Sequence, residues 1–328
     1  MDLATVFLGE RHTITRFHLP IPMGVGHINL YLLEHESGKR LLVDTGPKDA
    51  TLHASLCGLL EQHGTPIESI DGLLLTHEHL DHWGGARALQ ERAPQLEVIL
   101  HPGAHQSISG LGKDFGRDYI GVFAECGAPL LVSTAVRAFY DWYAVRRFAA
   151  PIYERNVRLV SEGPLDPYGV SLIHLPGHSA YHLGIEASGF LLAVDAVWKG
   201  KTPNPFFRRD NPDRGIQAYL DMLDTLPTKG YSMALPAHGE PVDDLRGYSE
   251  FIREHHSKRL QRLLTSLHHA KTPWGVLQDS GILRGSRRFH PAHLFLALCE
   301  TLGHLEWAED RKLCRSFLSA EGARYFTL

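Results

Sequence analysis

The chain has 328 residues, 43% of them hydrophobic and 21% charged, and a formal net charge of -4. That is the make-up of a globular protein with a large core, in one large or two smaller domains, and it excludes disordered and collagen-like chains. The small net charge selects no partner, although from Phe251 onward twelve Lys and Arg stand against seven Asp and Glu, a weak pointer to anionic partners set against the plainer reading of a solvated helical surface.

Four widely spaced cysteines, Cys57, Cys126, Cys299 and Cys314, form no framework and read as reduced thiols of a cytoplasmic protein. The first residues lack a basic stretch followed by an apolar one, so no signal peptide is expected. No apolar run approaches the ~20 residues that span a bilayer, so no membrane is expected as a partner.

Along the chain, Phe7 to Ile21 reads as strand, followed by a turn at Pro22-Met23-Gly24-Val25-Gly26. His27 to Glu34 is a buried strand pairing with Arg40 to Asp44 across Glu36-Ser37-Gly38. Ala50 to His63 carries Leu52, Leu56, Leu59 and Leu60 at helical spacing. Gly72 to Thr76 is a short apolar strand running into His77; Trp83 to Arg92 reads as helix and Leu96 to His101 as strand. Residues 103–151 break this alternation with a helical insertion, whose part from Val132 to Phe148 is dense in aromatics. Strands return at Val157–Val160, Val170–His174, His182–Glu186 and Phe190–Val194, followed by a helix over Pro212–Leu226 and a last strand over Met233–Pro236. Beyond about Gly247 the chain reads as all helical, with Phe251–His269 and His290–Ala308 clearest. The expected division is a catalytic domain over 1–246 and a C-terminal helical extension over 247–328.

Thr76-His77-Glu78-His79-Leu80-Asp81-His82 is the strongest local signal. In extended chain, residues two apart share a face, so His77 and His79 can grip one metal ion. Asp81 and His82 fall where the chain turns into a helix and can serve a second ion. Burying three imidazoles and a carboxylate together without a metal would leave costly unsatisfied groups. The alternative is a polar turn that happens to be rich in histidine. Three later strands end in the same manner: Gly177-His178-Ser179, Val194-Asp195 and Ala237-His238-Gly239. Each alone is an ordinary turn residue; together they place polar groups on a common rim. His101, His105 and His174 read as core or surface histidines, and His182 as making a strand-start hydrogen bond rather than binding metal.

This ordered set resembles the metallo-β-lactamase superfamily, from about Gly26 to Glu240. His27-Ile28-Asn29-Leu30-Tyr31-Leu32 is similar to the family's first hairpin and Asp44-Thr45-Gly46 to its strand-end Asp-Thr-Gly. The resemblance implies an α+β fold, the four-layer αββα sandwich, with two metals at one edge. It implies His77, His79 and His178 on one ion, Asp81, His82 and His238 on the other, Asp195 bridging, and Asp44 orienting a ligand from behind. Gly177-His178-Ser179-Ala180-Tyr181-His182 is similar to the Gly-His-Thr-x-x-His stretch of the glyoxalase II-like and lactamase-beta-like branches. Ser179 replaces Thr, and Tyr181 replaces a small or acidic residue and is expected to narrow the mouth of the site. The C-terminal part loosely resembles the helical, winged-helix-like tail of the lactamase-beta-like branch.

A hydrolase is the expected activity: two close divalent ions lower the pKa of a water they share and so supply hydroxide near neutral pH. Asp81 is the expected catalytic residue, holding the nucleophile and shuttling its proton. Zn²⁺ is the default ion for such a mixed site, with Mn²⁺ or Fe²⁺ as alternatives. A small-molecule ester, thioester or lactone is favoured by the aromatic insertion, with Tyr140, Trp142, Tyr143 and Tyr181 as substrate-binding candidates. Those aromatics have an equally good reading as packing onto the sandwich or a second subunit in a homodimer. The alternative is phosphodiester or RNA cleavage, with nucleic acid bound through Arg253, Lys258, Arg259, Arg262, Arg287 and Arg288. A flavodiiron-type redox protein is disfavoured, since no flavin domain is visible.

Overall fold

The computed structural model describes residues 3–110, 121–205, 211, 213, 215–283 and 290–328, the side chain of Trp142 excepted. Arg287, Arg288 and Pro212 lie outside the described residues.

Alternating apolar side chains build two sheets that face each other. The first takes its seven strands in sequence order: β1 (Ala4–Leu8), β2 (His12–Pro20), β3 (His27–His35), β4 (Arg40–Val43), β5 (Gly72–Leu75), β6 (Glu97–Leu100) and β7 (Val157–Leu159). β1 to β4 form an antiparallel meander; β4 to β7 run parallel. Parallel neighbours need crossovers. These are supplied by α1 (Ala50–Gln62), the short α2 (Leu80–Trp83) with α3 (Ala86–Arg92), and a helical stretch that starts with α4 (Pro102–Gly110). The second sheet has the order β12-β11-β10-β9-β8, from β8 (Gly163–Leu165), β9 (Val170–His174), β10 (Leu183–Ala187), β11 (Phe190–Val194) and β12 (Met233–Pro236).

The two-residue period of a strand decides which layer each side chain enters. Leu32, Leu42, Leu73 and Val98 point to a core shared with α1 and α3. Their neighbours Tyr31, Leu33, Leu41, Leu74 and Ile99 point the other way, to meet Leu172, Ile185, Leu192 and Leu235 between the sheets. Leu191, Ala193 and Ala234 leave the far face of the second sheet for a helical layer. The result is an αββα sandwich.

That outer layer joins the insertion to the C-terminal segment. It holds α5 (Leu130–Ala138), a π-helical turn over Phe139–Ala144, α6 (Val145–Phe148), α7 (Ile216–Thr225), α8 (Leu245–Leu264), α9 (Pro273–Asp279) and α10 (Pro291–Asp310). Val136, Tyr219, Ile252, Leu263, Leu277, Leu298 and Leu305 share one apolar cluster there. Asp244 caps α8 and Thr272 caps α9, each accepting a backbone N–H of the first turn.

The expectation of an all-helical end is corrected by a hairpin, β13 (Arg315–Leu318) with β14 (Arg324–Thr327). Its strands are four residues long, too short for a period-two pattern to declare itself. It is fastened by Phe326, fully buried, whose backbone exchanges two hydrogen bonds with Lys271. All four cysteines are buried free thiols. No described helix is long and apolar enough to cross a membrane.

Candidate metal centre

Strand ends of both sheets deliver the seven candidate ligands to one rim. His77 follows β5, and His79, Asp81 and His82 follow it through the turn into α2. His178 sits in the loop between β9 and β10, Asp195 directly after β11, and His238 just past β12. The two sheets are stitched here. Asn29 of β3 donates to the carbonyls of Pro236 and Gly239, Tyr31 donates to Pro236 O at 2.6 Å, and Leu183 N–H donates to Thr76 O at 3.0 Å.

The side chains fall into two groups whose ligand atoms lie within 4.8 Å of one another: His77, His79, His178 and Asp195; and Asp81, His82 and His238. Asp195 reaches toward both. Its Oδ2 is 3.3 Å from His178 Nε2 and 3.3 Å from His82 Nε2, and its Oδ1 is 3.6 Å from His238 Nε2. His238 Nε2 lies 3.4 Å from Asp81 Oδ2, and His77 Nε2 lies 3.0 Å from His79 Nδ1. His77, His82 and His238 are fully buried, and Asp195 is nearly so; His79, Asp81 and His178 are half-buried and open the group to solvent.

Four of the five rings are turned by a hydrogen bond on the outer nitrogen. His82 Nδ1 donates to Asp44 Oδ2 at 2.8 Å, His238 Nδ1 to His27 O at 2.7 Å, and His178 Nδ1 to Asn204 O at 3.2 Å. His77 Nδ1 meets Thr76 Oγ1 at 3.1 Å, and that hydroxyl donates onward to Asp44. A nitrogen that donates outward leaves a bare lone pair facing inward. His82 Nε2, His238 Nε2 and Asp195 Oδ1 are buried at the focus without a well-formed hydrogen bond.

These residues fit metal ions. Two ligand atoms at ~2.0–2.1 Å from one tetrahedral ion lie about 3.3 Å apart, the distance at which Asp195 Oδ2 stands from His178 Nε2 and from His82 Nε2. The electrostatics ask for positive charge at the same place. Burial pushes the His77 and His79 imidazoles down, the latter to about 4. Burial acts likewise on His82, but the carboxylates of Asp195, Asp44 and Asp81 outweigh it and hold that ring well above its usual range. Burial would raise Asp81; instead His82 and His238 pull it down to about 2.

Backbone strain marks both flanks. Asp44 has φ 61°, tolerable for an aspartate; Val194, just before Asp195, has φ 49°, which costs a β-branched residue roughly 1–3 kcal/mol. A bulge between Leu192 and Val194 accompanies it and turns Asp195 toward the rim. Gly84 lets the chain fold tightly behind His82, since a Cβ there would lie 2.0 Å from Phe148 O.

The remaining expected residues scatter. His182 accepts the Asp195 backbone N–H at 3.2 Å through Nε2. Tyr181 stacks on His101 with ring centroids 5.3 Å apart. Tyr140 packs on Phe295 of α10 at 4.8 Å, inside the helical layer, whereas Tyr143 is half-exposed against Phe139 and Phe148. Trp198 escaped the sequence reading. Its ring lies 5.0 Å from that of His238, its backbone N–H donates to Tyr248 Oη, and Lys201 Nζ sits 4.6 Å over the ring. Nothing local distinguishes it, for a tryptophan after a strand is usually core. Ser179 donates to Glu78 Oε2 at 2.5 Å, joining the first and second ligand loops.

Known proteins resemble this chain in sequence and fold. The sequence profile of the metallo-beta-lactamase superfamily matches residues 23–238. A protein of Bacillus subtilis named a probable metallo-hydrolase, YqjP, is 24% identical over 96% of this chain and 98% of its own. The crystal structure of a metallo-beta-lactamase family protein from Thermus thermophilus superposes with a TM-score of 0.77 at 26% identity, over 96% of this chain and 98% of the other. A thioesterase of Emericella nidulans, pkgB, is 34% identical over 110 residues, about a third of each chain. Two facing sheets, a rim of histidines and aspartates gathered from their strand ends, and a profile match spanning that rim identify the chain as a member of the metallo-β-lactamase superfamily of metal-binding hydrolases.

Proposed function

We propose that the chain is a binuclear metal-dependent hydrolase acting on carboxylic esters, thioesters or lactones. The observation that carries the binuclear reading is Asp195, whose two oxygens approach ligands of both groups. His77, His79 and His178 would hold one ion, Asp81, His82 and His238 the other, with Zn²⁺ the first candidate and Mn²⁺ or Fe²⁺ the alternatives. When bound, such ions supply Lewis acidity and lower the pKa of water.

The chain's own residues supply the rest. Asp44 fixes the tautomer of His82 and, through Thr76, that of His77. Asp81, half-buried and held ionised beside His238, is placed to take a proton from the attacking water and pass it on. Trp198 and Tyr181 give the surroundings of the rim apolar surface that excludes water from a bound acyl group.

Two observations favour an acyl substrate over a phosphodiester. The insertion ends against the loop that follows Asp44, Lys48 N–H donating to Phe148 O at 2.7 Å, and close behind Gly84 at the end of α2, with the half-exposed Tyr143 packed on Phe148. Several basic residues of the tail are already engaged: Arg253 with Asp224, Lys258 with Glu254 and Arg259 with Glu300. The thioesterase pkgB also lies on the acyl side. The test is a panel of thioesters, esters, lactones, bis-p-nitrophenyl phosphate and RNA on protein of measured Zn²⁺, Mn²⁺ or Fe²⁺ content. Turnover confined to acyl compounds is expected. Turnover confined to the phosphodiesters would overturn the substrate class and leave the hydrolase standing.

A further inference from the structure

A separate cluster of ligand-type side chains lies between α8 and α10. His255 and His256 come from α8; Glu300 and His304 come from α10. Ligand atoms of His255, His256 and Glu300 lie within 4.8 Å of one another.

The protonation pattern follows from the hydrogen bonds. His304 is fully buried and its Nδ1 donates to Glu300 O at 2.7 Å. A neutral ring that donates from Nδ1 carries its lone pair on Nε2. His304 Nε2 lies 3.2 Å from His256 Nδ1, so His256 must be the donor there. This fixes the lone pair of His256 on Nε2, which is buried with no hydrogen-bond partner. His255 Nε2 is likewise buried and unpartnered. A metal-bound histidine usually donates its other ring N–H to a fixed acceptor; here that acceptor is His304, itself held by the Glu300 carbonyl. Burial keeps these rings neutral, His256 at about 2 and His304 at about 3, the form in which imidazole binds metal.

We propose that His255, His256 and Glu300 bind a further divalent transition-metal ion, of the Zn²⁺ class, that clamps α8 to α10. Two imidazoles and one carboxylate are a known three-residue donor set for Zn²⁺, with a fourth position left for water. Arg259 pairs with Glu300, but a carboxylate has two oxygens, so one can ligate while the other accepts from the guanidinium. The nearby cations Arg259 and Arg262 act on His255 and oppose a dication, so micromolar rather than nanomolar binding is expected.

The clamp has a route to the rim. The His256 ring lies 6.2 Å from that of Tyr219, whose hydroxyl donates to Ala196 O, next to Asp195. An ion there would firm the support behind the Asp195 loop without touching substrate.

The experiment is equilibrium dialysis of the full, chelator-stripped chain against micromolar free Zn²⁺, with bound metal measured by elemental analysis. His255→Ala and Glu300→Gln change half-buried positions and spare the fully buried His256. Each is expected to bind one equivalent fewer than wild type, to lose part of the Zn²⁺-dependent rise in Tm, and to keep rim hydrolysis. The same stoichiometry in wild type and both variants would overturn the proposal. Because the readout is a difference, it stands whether the rim holds one ion or two.

Discussion

Asp44→Asn isolates what a buried carboxylate does from behind the metal rim. Asp44 is 2% exposed, and its two oxygens accept three hydrogen bonds: Thr76 N–H at 2.9 Å, Thr76 Oγ1–H at 2.9 Å and His82 Nδ1–H at 2.8 Å. An amide keeps one acceptor and turns the other into a donor. If the oxygen stays on Thr76 N–H, the amide nitrogen confronts His82 Nδ1–H. The conflict is relieved only by moving the ring proton to Nε2, the atom that faces Asp195 and the ligand focus. If the amide turns the other way, Thr76 N–H is left buried against a donor. Losing one charge-assisted bond costs about 1.5–3 kcal/mol, and removing one member of a buried ionised pair costs about 3–5 kcal/mol. A loss of roughly 3–4 kcal/mol in the metal-free protein is therefore expected, with a 10–100-fold loss of Zn²⁺ affinity of the kind seen for such supporting groups. Urea unfolding of metal-free protein gives the first quantity and competition with a chromophoric chelator the second. A variant that unfolds within ~0.5 kcal/mol of wild type and keeps its Zn²⁺ affinity would refute the reasoning.

Three further outcomes are expected. Asp81→Asn should keep the fold and most of the metal while turnover drops by roughly 10²–10⁴-fold; near-normal turnover at full occupancy would remove the proton-handling role. Gly177→Ala should destabilise by about 2–3 kcal/mol, since φ is 117° and its Cβ would lie 2.4 Å from that of Tyr219, and should loosen His178; an unchanged urea midpoint would contradict it. His53 is pushed below the ordinary histidine value of 6.5 by burial, so its contribution is present above that pH and lost as pH falls toward the folded value. Wild type should thus lose stability faster than His53→Gln on acidification below 6.5, by at most ~1.4 kcal/mol per pH unit, and parallel curves would count against it.

The sandwich was legible because its strands alternate strictly enough that one register serves two cores. Leu41, Leu42 and Val43 enter different layers in turn, and a slip of one residue would reverse them all. The candidate ligands stood out because they cluster in the short stretches just past apolar strands, where a run of polar groups needs a reason. The supporting groups were harder to find. Thr76 reads as an ordinary β-branched residue until its hydroxyl is seen relaying His77 to Asp44. Val194 is a plain strand residue in sequence, and only the fold forces it to positive φ. Aromatic density in the insertion implied a surface with a purpose; Tyr140 instead spends its ring on Phe295. The closing hairpin was missed because its strands are four residues long and are held by Phe326, Ser316 and Arg324 through contacts that only the fold supplies.

The candidate ligands and the aromatic residues proposed to meet the substrate come from different parts of the chain. Six of the seven candidate ligands follow strands β5, β11 and β12, and His178 follows β9, so their positions are locked by the two sheets and by the bonds from Asn29 and Tyr31 that join them. Such positions move little when surface residues change. Trp198 stands differently: it is half-buried on a short turn, held to Tyr248 by one backbone bond and covered by the exposed Lys201. Tyr143 and Tyr181 also lie on segments outside the sheets. A substrate meeting the rim would find a rigid set of charges on one side and aromatic faces on adjustable supports around it. Under the proposed function, selectivity would rest with residues whose sequence signal is weak, because an aromatic ring outside the sheets obeys no strand period. That is why the candidate metal rim can be read from strand ends while the substrate must be found by assay.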